Sequence, residues 1–159
     1  MKKILVVYYS RGGNTKSMAE SVAEGIRKEG LDAVLKDVLD VTVDELLDYD
    51  GFAVGSPTYY GSMAAQIKQL FDDSVKLHGK LDAKAGAAFA SSANIAGGNE
   101  TTILDIINAM LIHGMIVQGD PKGDHYGPVA IGAPDERSVN ECLRMGSRLA
   151  RLVKTLAKV

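Results

Sequence analysis

The spacing of apolar positions changes period repeatedly along the 159 residues, and each change marks a boundary between a strand and a helix. The first run, Ile4-Leu5-Val6-Val7-Tyr8-Tyr9, is unbroken and partly β-branched. It predicts a strand over Lys2 to Tyr8 that is buried on both faces. Beyond a short polar turn, Met18, Val22 and Ile26 recur every four residues among charged ones, so Thr15 to Glu29 reads as an amphipathic helix. Gly30 follows in the position of a left-handed cap. Asp32 to Val38 alternates like a strand near a sheet edge. Thr42-Val43-Asp44-Glu45 has the spacing of a capping box for a short helix ending at Asp48.

The alternation continues to the end of the chain. Asp50 to Gly55 predicts a third, buried strand, Ser56 to Gly61 a turn-forming loop, and Ser62 to Leu77 a helix. Ala85 to Ser91 predicts a fourth strand of small residues, followed by an uncharged loop from Ser92 to Asn99. Ile103, Ile107, Met110 and Leu111 give Glu100 to His113 a helical face. Met115 to Gln118 predicts a fifth strand, Gly119 to Pro134 a long loop with four glycines, and Asp135 to Lys158 a last helix. Five strand–helix units without a linker or repeat predict a single α/β domain over residues 1–159. The expected sheet is parallel, with five strands in the order 2-1-3-4-5 and helices on both faces. Ligands of such sheets sit beyond the carboxyl ends of the strands where the order reverses, which brings together the loops after strands 1, 3 and 4.

Composition narrows the classes. A net charge of −2, with 24% charged residues, gives no basic patch for nucleic acid or anionic membrane, and no partner of either kind is expected. One cysteine, Cys142, excludes an intramolecular disulfide and a multi-cysteine metal site. Met1-Lys2-Lys3 leads straight into the first strand without a small-residue cleavage pattern, so a cytoplasmic location is expected.

The first of the three loops, Ser10-Arg11-Gly12-Gly13-Asn14-Thr15, joins a buried strand to a helix N-terminus. That arrangement binds phosphate through unpaired backbone N–H groups and the helix dipole, with the hydroxyls as further donors. The loop lacks the dinucleotide fingerprint and the triphosphate-loop spacing. It also lacks the carboxylates of a receiver domain and the cysteine of a small phosphatase. A hydroxyl-rich loop without a nucleophile suits holding a terminal phosphate monoester. The second loop, Pro57-Thr58-Tyr59-Tyr60-Gly61, places two aromatics at a strand end; packing over the core rim is the ordinary alternative. The third, running through Ser92, Ala93, Asn94, Ile95, Ala96, Gly97 and Gly98, offers amide donors and little bulk, and by itself would be a plain surface loop. A phosphate cradle, an aromatic wall and a neutral donor-rich loop together fit a flat heterocycle bearing one phosphate, and FMN is that ligand.

These pieces resemble the flavodoxin-like FMN flavoproteins, and most closely the WrbA-type NAD(P)H:quinone oxidoreductases. The resemblance rests on Tyr9-Ser10 through Thr15, Gly55-Ser56-Pro57-Thr58-Tyr59-Tyr60-Gly61-Ser62-Met63, Ser91-Ser92 with Gly97-Gly98-Asn99-Glu100, and His113-Gly114-Met115. It implies a flavodoxin-like three-layer sandwich with FMN phosphate on Ser10 to Thr15. Thr58, Tyr59 and Tyr60 would line the ring, Ala93 to Gly98 would meet its pyrimidine and ribityl side, and His113 would be a catalytic histidine near it. It further implies NAD(P)H as co-substrate, a quinone acceptor or a redox partner protein, and a homo-oligomer, dimer or tetramer. The chain departs from that pattern at Tyr59, where the family usually has arginine, and at His78, where it has tryptophan. It is also shorter than typical members, which carry an extra segment linked to tetramer formation. A histidine ending an apolar helix can equally be a C-terminal cap, and Arg11 can equally be a solvated side chain. The alternative function is a flavodoxin-type electron carrier with no turnover of its own.

Overall fold

Each apolar run becomes a strand covered on two sides, because helices pack on both faces of one sheet. The computed structural model describes residues 1–158. The elements are β1 (Lys3–Tyr8), α1 (Asn14–Lys28), β2 (Asp32–Asp37), β3 (Gly51–Tyr59), β4 (Ser62–Met63), α2 (Ala65–Asp73), β5 (Ala85–Ser92), α3 (Asn99–Ile112), β6 (Ile116–Val117), β7 (Val129–Ile131) and α4 (Glu136–Leu156). Short 3-10 turns cover Val38–Asp40, Asp44–Asp48 and Ser74–Leu77. The order is β2-β1-β3-β5, with β6 and β7 both pairing β5 in parallel, one at each end. The expected order is therefore present, but two short strands share the fifth place and β4 adds a hairpin on β3. Alternation along β1 divides the core. Ile4, Val6 and Tyr8 pack with α1 and α4, while Leu5 and Val7 pack with α2 and α3. No described helix is long and apolar enough to cross a membrane.

The α1–α4 layer is held by direct backbone contact. A Cβ added at Gly25 would lie 2.1 Å from the Leu143 carbonyl oxygen, and one at Gly146 would lie 2.2 Å from that of Val22. Only glycine permits that approach. Cys142 lies fully buried in the same layer, and burial pushes its thiol up to about 12. It is an inert small hydrophobe.

Three expectations need correction. The strand expected to end at Gly55 runs on to Tyr59, where it folds back and pairs with Ser62–Met63. Pairing of Ser56 and Pro57 with Ala90 and Ser91 extends the ladder through residues whose proline and hydroxyl character suggested a loop. The helix expected from Ser62 to Leu77 consequently begins at Ala65 and loosens into a 3-10 turn after Asp73. Finally, the long glycine-containing loop hides β7, whose three residues are too few to show a period. That loop is tied down by Asp120, which accepts from Arg144 at 2.5 and 2.9 Å, and by Asp124 against Arg137 at 2.8 Å. Hydrogen bonding to Arg144 holds the Asp120 carboxyl well below the usual carboxylate range.

Candidate functional site

The parallel register of β1, β3 and β5 brings their carboxyl ends to one edge. Tyr8 lies opposite Gly55, and Pro57 opposite Ser91. The Tyr9 amide donates to the Gly55 carbonyl at 3.2 Å, so β1 stays attached to β3 as it enters the first loop. The three loops expected to form a site therefore meet.

In the first loop, Gly13 caps α1 with φ 98°, and no side chain accepts from the first turn. The first intrahelical bond of the turn, Ser17 N–H to Gly13 carbonyl, measures 3.0 Å. The amides of Asn14, Thr15 and Lys16 are left without an intrahelical acceptor. No acidic residue stands in this turn. Ser10 Oγ accepts from the Gly13 amide at 3.0 Å and fixes the shape of the loop. Arg11, Gly12 and Gly13 are exposed, and Arg11 makes no ion pair among the described residues. Thr15 differs from expectation. Its side chain is buried, and its hydroxyl lies 2.9 Å from Ser91 Oγ, tying the cradle to β5.

The second loop is the tip of the β3–β4 hairpin. Tyr60 (φ 51°) and Gly61 (φ 76°) both occupy the left-handed region, as a two-residue turn of this hand demands. A tyrosine there costs about 1 kcal/mol relative to glycine. Tyr60 is fully exposed and Tyr59 is 40% exposed, so burial does not offset the cost. The third loop turns through Ala96 (φ 55°), closed by a 3.2 Å bond from the Gly97 amide to the Asn94 carbonyl. Ala93 to Gly97 are exposed, and Ser92 Oγ donates to the Asn94 carbonyl at 3.0 Å.

His113 is not brought to this site. A helix after a parallel strand runs back along the sheet, so the far end of α3 reaches the opposite edge, about 20 Å from Gly98 at 1.5 Å per residue. There the Ala83 amide donates to the Gly114 carbonyl at 3.0 Å, just before β5 begins. His113 caps α3 and is buried, with Nε2 2.7 Å from Ser74 Oγ. Since that hydroxyl donates to the Phe71 carbonyl at 2.7 Å, it accepts from Nε2–H. Nδ1 is then an unprotonated nitrogen, and it has no hydrogen-bond partner among the described residues. Burial, and then His78, hold the His113 imidazole below its usual value. A groove of about 1040 Å³ between α2 and α3 runs from Tyr59 at one end to His78 and His113 at the other.

Residues 6–111 match the flavodoxin family. The chain belongs to that family. Among its relatives, a protein of Aquifex aeolicus named flavodoxin is 43% identical over 96% of this chain and 88% of its own length. One of Archaeoglobus fulgidus named NAD(P)H dehydrogenase (quinone) is 31% identical over 98% of this chain and the whole of its own. The crystal structure of a WrbA-like flavodoxin from Agrobacterium tumefaciens superposes with a TM-score of 0.83 at 26% identity, covering 98% of this chain and 99% of that one.

In this flavodoxin-family chain, the side chains that hold the loops together were not evident from the pattern. Thr101 and Thr102 stand outside the apolar spacing of Ile103, Ile107, Met110 and Leu111, and both hydroxyls turn back onto the loops. Ser91 and Asn99 act similarly, through Thr15 and Ser92. A run of hydroxyl residues at a helix start is the one signal that could have pointed to them.

Proposed function

We propose that the chain is an FMN-dependent oxidoreductase that passes a hydride from NAD(P)H, by way of the flavin, to a quinone-type acceptor. The observation that carries the reading is the bare N-terminus of α1, which opens among the three loops with amide donors and no competing carboxylate. A Cβ added at Gly12 or Gly13 would meet nothing within 4 Å, so the space above the cradle is open. This donor set suits a phosphate monoester. Ser10 shapes the cradle, the amides of Asn14 to Lys16 receive the phosphate, and Thr15 braces it from beneath.

On the ring side, Pro57 to Gly61 form one wall and Ser92 to Gly98 the other. FMN, when bound, supplies the hydride-accepting and hydride-donating ring. The chain orients that ring and sets its electrostatics. From Ser92 to Asn99 no side chain carries a charge, and the first acid, Glu100, is exposed on α3. Negative charge gained on reduction therefore meets neutral dipoles rather than carboxylates, which favours a two-electron step. The quinone-dehydrogenase names of several relatives support the acceptor class. A cytoplasmic setting and a dimer or tetramer belong to the same reading.

A second reading, an electron carrier without turnover, is favoured by the 43% identity to the Aquifex flavodoxin. Purified flavin-loaded protein is expected to oxidise NADH or NADPH faster when a benzoquinone or naphthoquinone is added. No stimulation with either nucleotide defeats the enzyme reading. A one-electron-reduced form that accumulates during stepwise reduction would then establish the carrier.

A further inference from the structure

The first two turns of α3 hold both ring-side loops. Thr101 Oγ1 lies 2.6 Å from the Gly61 carbonyl oxygen and 2.8 Å from that of Gly98, so one hydroxyl hydrogen is shared between the two loops. Thr102 Oγ1 lies 2.9 Å from the Gly98 carbonyl oxygen and 3.2 Å from Thr58 Oγ1. Ser62 Oγ donates to Asp105 Oδ2 at 2.6 Å, anchoring the returning strand of the hairpin. The loops touch where these bonds converge. A Cβ on Gly98 would fall 2.6 Å from Gly61 Cα and 3.2 Å from Thr101 Oγ1.

The hairpin tip requires such an anchor. Tyr60 holds a left-handed conformation with its ring in solvent, and a strained residue persists only where its surroundings over-determine it. Gly61 completes that turn, and the Thr101 hydroxyl is the side-chain donor that its carbonyl receives.

We infer that Thr101 is a positioning residue: by sharing its hydroxyl between the Gly61 and Gly98 carbonyls, it sets the width of the slot that takes the flavin ring. The inference rests on the FMN reading above. It divides recognition into two separable parts, a phosphate side governed by Ser10 and the α1 amides and a ring side governed by the Thr101 bridge.

Riboflavin and FMN share the ring and differ by the phosphate, so titrating flavin-free protein with each separates the two sides. Flavin fluorescence quenching and the visible spectrum of the bound ring are the readouts. Thr101→Val is expected to weaken both ligands by the same factor, about tenfold, and to move the visible bands of the bound flavin. Thr101→Ser, which keeps the donor, is expected to bind within about twofold of the unaltered chain. Ser10→Ala is expected to weaken FMN and leave riboflavin unchanged. A thermal melt of each variant by circular dichroism checks that it folds. Unchanged affinities and spectrum in Thr101→Val overturn the inference. So does a Thr101→Ser loss equal to that of Thr101→Val, which would assign the effect to the methyl group. If Thr101→Val fails to fold, Thr101→Ser and Thr101→Ala, compared for ring spectrum, decide it in the same way. Failure of the unaltered chain to bind either flavin defeats the cofactor reading itself, and the inference with it.

Discussion

Two helices that lie side by side on one face of the sheet begin in opposite ways. Both follow parallel strands and so start at the carboxyl edge. At α4, Asp135 Oδ1 accepts from the Ser138 amide at 2.8 Å, and Ser138 Oγ accepts from the Asp135 amide at the same distance. That capping box satisfies the helix from within, and the Ser138 amide holds the Asp135 carboxyl below its usual range. At α1, a glycine in the left-handed region takes the same place and offers nothing. A good cap is worth about 1 kcal/mol, and α1 forgoes it. The difference separates a structural helix start from one left open for an anion.

The comparison breaks most sharply if α1 is given its own negative charge. Asn14→Asp is expected to weaken FMN binding about 100-fold, since a carboxylate placed beside the phosphate costs roughly 3 kcal/mol at intermediate dielectric. Riboflavin affinity should be spared; equal losses for the two ligands would place the phosphate elsewhere. Thr15→Val leaves the Ser91 hydroxyl without its partner and should cost about 2 kcal/mol of stability, with a smaller effect on FMN affinity. Chemical denaturation beside a flavin titration would distinguish the brace from a direct ligand. Asp135→Ala should lower stability by about 1 to 2 kcal/mol, a drop of a few degrees in Tm, and leave flavin affinity unchanged. Altered flavin binding in that variant would remove the distinction between the two termini.

The smallest effect lies far from both helix starts. The folded-state value of His113 is depressed, chiefly by burial. The unfolded chain therefore takes up its proton first, at about pH 6.5. Stability is full above that pH and is lost as pH falls toward the folded value. His113→Gln should flatten the slope of Tm against pH between 7 and 5. An unaltered slope would show that the imidazole takes up its proton equally in the folded and unfolded states.

Long, uniform segments were readable without coordinates. The apolar run of β1, the four-residue spacing of Met18, Val22 and Ile26, and the small residues of β5 each state a period that one packing arrangement satisfies. Short or mixed segments were not. Val129–Ile131 is a strand only because Ala90–Ser92 offers an unpaired edge, and Ser62–Met63 becomes one by folding onto Thr58–Tyr59. His113 illustrates the limit for sites, since its neighbours in sequence suggested the flavin while helix direction carries it to the opposite edge.

The sequence by itself determined the α/β alternation, the three loops at the strand ends and the absence of charge in the third, because these follow from local composition and period. Tertiary structure alone decided how those loops are held: Thr15 against Ser91, and Thr101 between Gly61 and Gly98. Thr15 and Ser91 are 76 positions apart and Thr101 and Gly61 are 40 apart, the Thr101 hydroxyl being shared with the Gly98 carbonyl. A hydroxyl commits its single hydrogen only once packing has fixed which acceptor lies within reach.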